Sequence, residues 1–377
     1  MNRQKSSARF RFFGALLLLV ALIFVIPALK TGDHRLYLLA VAVPCAVFLA
    51  GTILARIFSL DRMLLAFSMC LCSMGIAALA PSDPDAALAQ ALRCAAGLGA
   101  LMVGGALIRS LSSSLLTSVC TAFLGLLLLA GKLLAPSLTA PLAEIALSLL
   151  LLSFASTLTR QGPVAAVSVA FAALALLLIR GDLTEALLWG LTILFLLFAA
   201  DGRVIIVLPS LAVTGLLFFG AVRLFQPIQA AQEPAVQSLL ISVGAVGEET
   251  LPEGLQAMES FSLLVHLCGH YGLIFTALIL LLFLPLTLRG TFVASCSRTR
   301  FHAVLAMGVS LLLALNVLVS ILTFFSFLPF SPSAVPLLTS SLTDLCAQFF
   351  LIGIVCGISG RNEADLAEDA HLAMLAK

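Results

Sequence analysis

The stretch RGDLTEALLWGLTILFLLFAADGR, residues 180–203, decides the class of this fold. Between Asp182 and Asp201 the only charged residue is Glu185, with a Gly-Asp corner in front and an Asp-Gly-Arg corner behind. A helix needs about 20 apolar residues to cross a bilayer core, so 183–200 reads as a membrane span. The pattern recurs at 12–29, 36–55, 63–80, 88–108, 114–131, 139–158, 163–179, 204–222, 261–287, 302–326 and 341–359, making twelve spans. The breaks are short and carry turn residues, such as PSDPDAA at 81–87 and RQGP at 160–163.

Composition agrees. Hydrophobic residues are 62% of the chain and charged residues 10%, where a soluble domain carries about 25% charged. An all-α polytopic membrane protein is expected. A net charge of +2 without a basic stripe gives no sign of a nucleic-acid partner. The nine cysteines mostly lie inside apolar runs and form no CxxC pair, which fits small packing residues rather than a disulfide or zinc framework. The basic-then-apolar start at 1–30 lacks a small-x-small cleavage site and reads as a first anchor.

Lys and Arg set the orientation. With the N-terminus in the cytoplasm, inner segments hold fourteen, from Arg3 and Lys5 to Arg361 and Lys377. The outer segments hold five: Lys30, Arg35, Lys132, Arg180 and Arg223. Both termini are therefore expected inside. The longest outer segment, about 223–260, carries Glu233, Glu248, Glu249, Glu253 and Glu259. Long loops on an otherwise tightly connected chain are where function concentrates.

Arg93, Glu144, Glu185 and Asp344 fall inside expected spans. At about 2.5–3.5 kcal/mol each on insertion scales, such residues face a wet cavity or pair with one another. A polar cavity for a headgroup or proton is one reading; structural ion pairs, Arg93 with an acid, are the other. Asp182 is placed to cap the eighth span. His266 and His270, four apart, share a helix face, but no third residue is spaced as a metal ligand. Ala96, Ala100 and Gly104 make a small-xxx-small packing face. The tail, 361–377, reads as a short amphipathic acidic helix in solvent.

From residue 60 onward the chain resembles the SEDS family of cell-wall proteins, the FtsW, RodA and SpoVE group. LDRMLLAFSMCLCSMGIAALAPSDPDAALAQALRCAAGLG, including Gln90, resembles the first two core helices. Glu144-Ile145-Ala146 is similar to the "PSEFAK" helix start, with Leu147 at the Lys. RGDLTEALL resembles "QPDLGTALL", and Ala200, Gly202 and Arg203 resemble "ATGR". Gly308, Leu328-Pro329 and Pro336 fall at family spacing, while Thr339 to Asp344 replace "SYGGSS". The resemblance implies a ten-helix core in 60–360, two extra helices in 1–59, an outer loop at 223–260 and a cytoplasmic tail at 361–377.

It also implies a function. SEDS proteins polymerise lipid II, an undecaprenyl-pyrophosphoryl disaccharide-peptide, in the bacterial cytoplasmic membrane, usually beside a class B penicillin-binding protein. A carboxylate deprotonates the attacking hydroxyl, and cations or a divalent metal hold the leaving pyrophosphate. In the family that carboxylate is the Asp of "LPExxPxxHTDFIF…GEELG". LPEGLQAMESFSLLVHLCGHYG, from residue 251, aligns without a gap, yet Phe261 stands at the Asp and Glu259 two residues earlier. Two cases follow. In the active case, Glu259 or Glu253 is the base, and Arg180, Asp182, Glu185, Glu144, Arg93 and Asp344 line the substrate cavity. In the inactive case, the fold survives as a binding or scaffold partner. A twelve-helix secondary transporter or lipid flippase is the alternative outside the family, although no two similar halves are visible.

Overall fold

The computed structural model describes residues 14, 16–25, 34–58, 60–81, 83–110, 114–134, 142–202, 204–229, 262–325, 327–328 and 334–375. Among them there is no strand, only an isolated bridge between Val335 and Leu338. The first helix, α1, is Leu16–Val25. It is followed by α2 (His34–Ile57), α3 (Arg62–Leu79), α4 (Pro84–Ser110), α5 (Leu115–Leu134), α6 (Ala143–Arg160) and α7 (Pro163–Ile179). Then come α8 (Leu183–Asp201), α9 (Val204–Gln229), α10 (Ser262–Leu281), α11 (Phe283–Ser295), α12 (Arg300–Phe324) and α13 (Leu342–Leu375).

Nine of the described helices, α10 and α11 counted together, are long and apolar enough to cross a membrane. Shorter apolar helices, Leu16–Val25, Leu115–Gly131 and Pro163–Ile179, stand at the other three expected positions. Two expected boundaries change. The tenth span runs on through α11 to Ser295 and is broken at Gly272, whose φ of 83° and ψ of 167° are not helical. The tail is not a separate helix: α13 continues without interruption to Leu375.

Local chemistry sets the ends. Asp61 caps α3, its carboxylate accepting from the Met63 and Leu64 amides at 2.9 and 3.4 Å. α7 begins on Pro163, where a missing amide hydrogen costs nothing. α8 closes on Gly202 at φ 62°, a left-handed position that a side chain would strain. The single Trp of the chain, Trp189, is buried and donates its indole N–H to the Ala170 carbonyl at 3.1 Å, tying α8 to α7.

α3 is the most buried span and α9 the most exposed, so the bundle is built around the first and carries the second at its rim. The closest helix pair is α4 with α13. A Cβ on Gly353 would lie 2.1 Å from the Leu101 carbonyl oxygen, and one on Gly104 would lie 2.3 Å from that of Phe350. The packing face of α4 is therefore Gly97, Leu101, Gly104 and Gly105, which keeps the expected Gly104 but not Ala96 and Ala100. Ala96 is exposed. Small residues lie on several sides of this helix, and their spacing alone does not select the side that meets a neighbour.

Candidate functional site

The residues expected to line a cavity come from the ends of helices that meet on one side of the bundle. Glu144 lies in the first turn of α6, Glu185 in the first turn of α8, and Asp344 in the first turn of α13. The three carboxyl groups are near enough for the charge of Glu144 to feel both others. All three are partly buried. Arg180 and Asp182 sit at the corner leading into α8 and form an ion pair, with the Arg180 side chain only 2% exposed. Asp182 occupies the N-cap position but makes no capping hydrogen bond, because its carboxylate turns to Arg180 instead. This corrects the expectation of a helix cap.

For Arg93 the ion-pair reading does not hold. Its guanidinium donates to Gln90 Oε1 at 3.2 Å, and among the described residues it makes no ion pair with an acid. One helical turn separates the two along α4, so a neighbouring amide reaches the guanidinium before any carboxylate on another helix. Glu253 and Glu259, the candidate bases, and Phe261 lie outside the described residues.

Gln90 leads to a feature that hydropathy does not reveal. The chain between α12 and α13 turns within the bundle, with Val335, Leu337, Leu338 and Thr339 all buried. Leu337 has a φ of 61°, a left-handed conformation that costs a side-chain residue about 1–2 kcal/mol. Non-helical backbone at membrane depth survives only where protein groups or a wet cavity satisfy it. Here buried amides do so. Gln90 Nε2 donates to the Thr339 carbonyl at 2.8 Å, and Gln348 Oε1 accepts from the Leu337 amide. Thr339 Oγ1 accepts from the Ser341 amide at 3.1 Å, and Ser341 Oγ accepts from the Asp344 amide at 3.4 Å. Asp344 is thus positioned by a chain of hydrogen bonds reaching back to Arg93. The resemblance singled out Gln90 and the Thr339 to Asp344 stretch; nothing in the sequence marked Gln348 as their associate. Replacing Gln90 by Leu leaves the Thr339 carbonyl without its donor and is expected to cost about 1–3 kcal/mol. Thermal unfolding in detergent checks this, and an unchanged midpoint would show that water takes over the bond.

His266 and His270 share a face as expected, with ring centroids 6.2 Å apart. They sit just before the Gly272 break, where Thr276 Oγ1 donates back to the Gly272 carbonyl at 2.9 Å. Among the described residues no three His, Cys, Asp or Glu lie close enough to hold a metal ion.

At the opposite end, Asp61 is buried under three helices. Arg289 of α11 donates to Asp61 Oδ2 from Nε and Nη2 at 2.9 and 2.7 Å, and Ser359 of α13 donates to the same oxygen at 2.9 Å. Beside it, Arg300 pairs with Asp201 at 3.2 Å, joining α12 to the end of α8.

No protein-family model matches the chain. It is 30% identical over 209 residues to the probable peptidoglycan glycosyltransferase FtsW of Geobacter sulfurreducens, in both strain DL-1/KN400 and strain PCA. That match covers 50% of this chain and 56% of the relative, so the chain spans about half the length of the curated relatives it matches. Solved structures share the fold over more of it. A chain from a peptidoglycan synthase complex superposes with a TM-score of 0.62 at 19% identity, covering 81% of this chain and 98% of its own. The rod shape determining protein RodA of Thermus thermophilus gives 0.57 at 17% identity, covering 80% and 96%. The order of the helices, the positions of the motifs and these likenesses agree: about half of the chain is similar to an FtsW protein, and four-fifths of it shares the fold of RodA and of the synthase chain.

Proposed function

We propose that this protein works in peptidoglycan synthesis in the bacterial cytoplasmic membrane, holding lipid II or another undecaprenyl-linked precursor at the outer end of its bundle. The observation that carries this reading is the convergence of Glu144, Glu185 and Asp344 from the first turns of three helices, with the Arg180–Asp182 pair at the corner into one of them, within a fold like that of RodA. Both termini lie in the cytoplasm on this reading, as the distribution of Lys and Arg supports. The ten-helix core occupies 60–360, with two additional helices in 1–59. In support, the synthase chain is covered almost completely by about four-fifths of this one. A class B penicillin-binding protein is the expected partner, since a chain of a peptidoglycan synthase complex shares the fold.

The chemistry available is proton transfer and charge stabilisation. Glu259, or Glu253, removes the proton from the attacking sugar hydroxyl. The Arg180 guanidinium supplies positive charge at the cavity, and Asp182 holds it in place. Asp344, set by the Gln90 relay, keeps the wall of the cavity polar.

Purified wild-type protein supplied with lipid II is expected to yield glycan strands, and Glu259→Gln to lower the rate by about 10²–10⁴-fold, the usual span for a general base. Full output from the variant removes Glu259 as the base. A wild type that binds lipid II yet makes no strands acts as a scaffold, and Phe261→Asp then asks whether restoring the family carboxylate restores turnover. Substrate-dependent uptake into vesicles without lipid II binding would replace this reading by a transporter.

A further inference from the structure

We propose that the arginine-rich end of the bundle carries a binding site for an anionic phospholipid headgroup, formed around the turn between α2 and α3. Arg56 at the end of α2, Arg62 at the start of α3, Arg109 at the end of α4 and Arg361 on α13 are all exposed. Their proximity follows from contacts between their elements. Arg109 Nη2 donates to the Phe58 carbonyl in the α2–α3 turn. Leu60 in the same turn lies 3.1 Å from where a Cβ on Gly105 would be. Ser359, two residues before Arg361, bonds to Asp61, the residue before Arg62.

Two things distinguish this cluster from a general bias of basic residues toward one side. First, the acid next to Arg62 is already engaged. Asp61 is buried and saturated by Arg289, Ser359 and two amides. Beyond Arg361, α13 also carries Glu363, Asp365, Glu368 and Asp369. Arg56, Arg62 and Arg361 make no ion pair among the described residues, whereas Arg289 and Arg300, on neighbouring helices, each have a carboxylate. Second, the helices below carry apolar side chains facing outward. Ile53 and Ile57 on α2 are 50% and 68% exposed, and Val103 and Leu107 on α4 are 60% and 38% exposed. Guanidinium groups at the ends of helices with exposed apolar side chains match a lipid: acyl chains lie on the isoleucines and a phosphodiester meets the arginines. The described cations at this end are all arginine, whose planar fork takes two phosphate oxygens at once.

The test uses the full chain in nanodiscs or detergent, with phosphatidylglycerol and phosphatidylcholine as probes and native mass spectrometry as readout. Phosphatidylglycerol is expected to remain bound at a tenfold lower concentration than phosphatidylcholine. The triple variant Arg56→Gln, Arg62→Gln, Arg361→Gln is expected to weaken it on the order of a hundredfold, from the usual attraction per basic residue. The triple Lys variant, which keeps the charge and removes the fork, should lose less than the Gln variant. Arg300→Gln, already engaged with Asp201, should lose nothing. Inorganic phosphate should not displace the lipid; if it does, the site is a phosphate site and the lipid assignment fails. Equal retention of the two lipids by the wild type overturns the proposal, whatever the variants do, and so does wild-type affinity in a folded triple Gln variant.

Discussion

Arg289→Leu is expected to lower the stability of the folded bundle by about 3–5 kcal/mol, the range for removing one partner of a buried ion pair. The Asp61 side chain is 3% exposed and the Arg289 side chain 26% exposed, so the carboxylate is the partner stranded by the change. It would keep only the Ser359 hydroxyl and the two amides it caps. The loss reaches beyond one contact, because Asp61 joins the start of α3 to α11 and α13. Chemical or thermal unfolding in detergent measures the effect. The double variant Asp61→Asn, Arg289→Leu should be more stable than Arg289→Leu alone, since the stranded charge is gone. Within 1 kcal/mol of wild type for the single variant, the ion pair would be a surface ornament and the account of this node wrong.

Gly353→Val should be nearly as damaging, by a different route. A Cβ at this position meets the Leu101 carbonyl oxygen at 2.1 Å, its carbonyl carbon at 2.8 Å and its Cα at 2.9 Å. Backbone cannot rotate aside as a side chain can, so α4 and α13 must separate. Overpacking usually costs about 1–3 kcal/mol, and a backbone clash belongs at the upper end. Separation would also move Gly357, where an added Cβ would meet the Gly105 carbonyl oxygen at 2.7 Å. Gly99→Ala is the matched control: the space around Gly99 is open, and exchanging a helical glycine for alanine adds about 0.5–1 kcal/mol. Should Gly353→Val unfold no sooner than Gly99→Ala, the close approach of the two helices is not what stabilises this pair.

Both positions show how far the sequence could be read. The span around Trp189 was legible because hydropathy sums along the chain, and a run of apolar residues between polar corners has few ways to be satisfied other than crossing a membrane. The same local logic located the corner after α8, whereas Glu144, Glu185 and Asp344, expected inside spans, stand in the first turns of α6, α8 and α13. It misassigned the packing face of α4. In water a helix shows its buried side by contrast with a polar one, but in a bilayer the outward side is apolar too, and the contrast that betrays orientation is gone. The ion-pair reading of Arg93 failed similarly, since a guanidinium with an amide one turn away has a partner that no rule about buried charges names.

Twelve apolar segments, their order and the arginine-rich and acidic ends were determined by the sequence itself, each resting on composition within a short window. Which groups meet was decided only by tertiary structure. Gln90 reaches Thr339 across 249 positions, Arg289 reaches Asp61 across 228, and Ser359 reaches Asp61 across 298. Such pairs depend on the rotation of each helix about its own axis and on its depth against its neighbours. Those are set when glycine faces close, hydrogen-bonding groups find partners away from water, and buried charges are neutralised together.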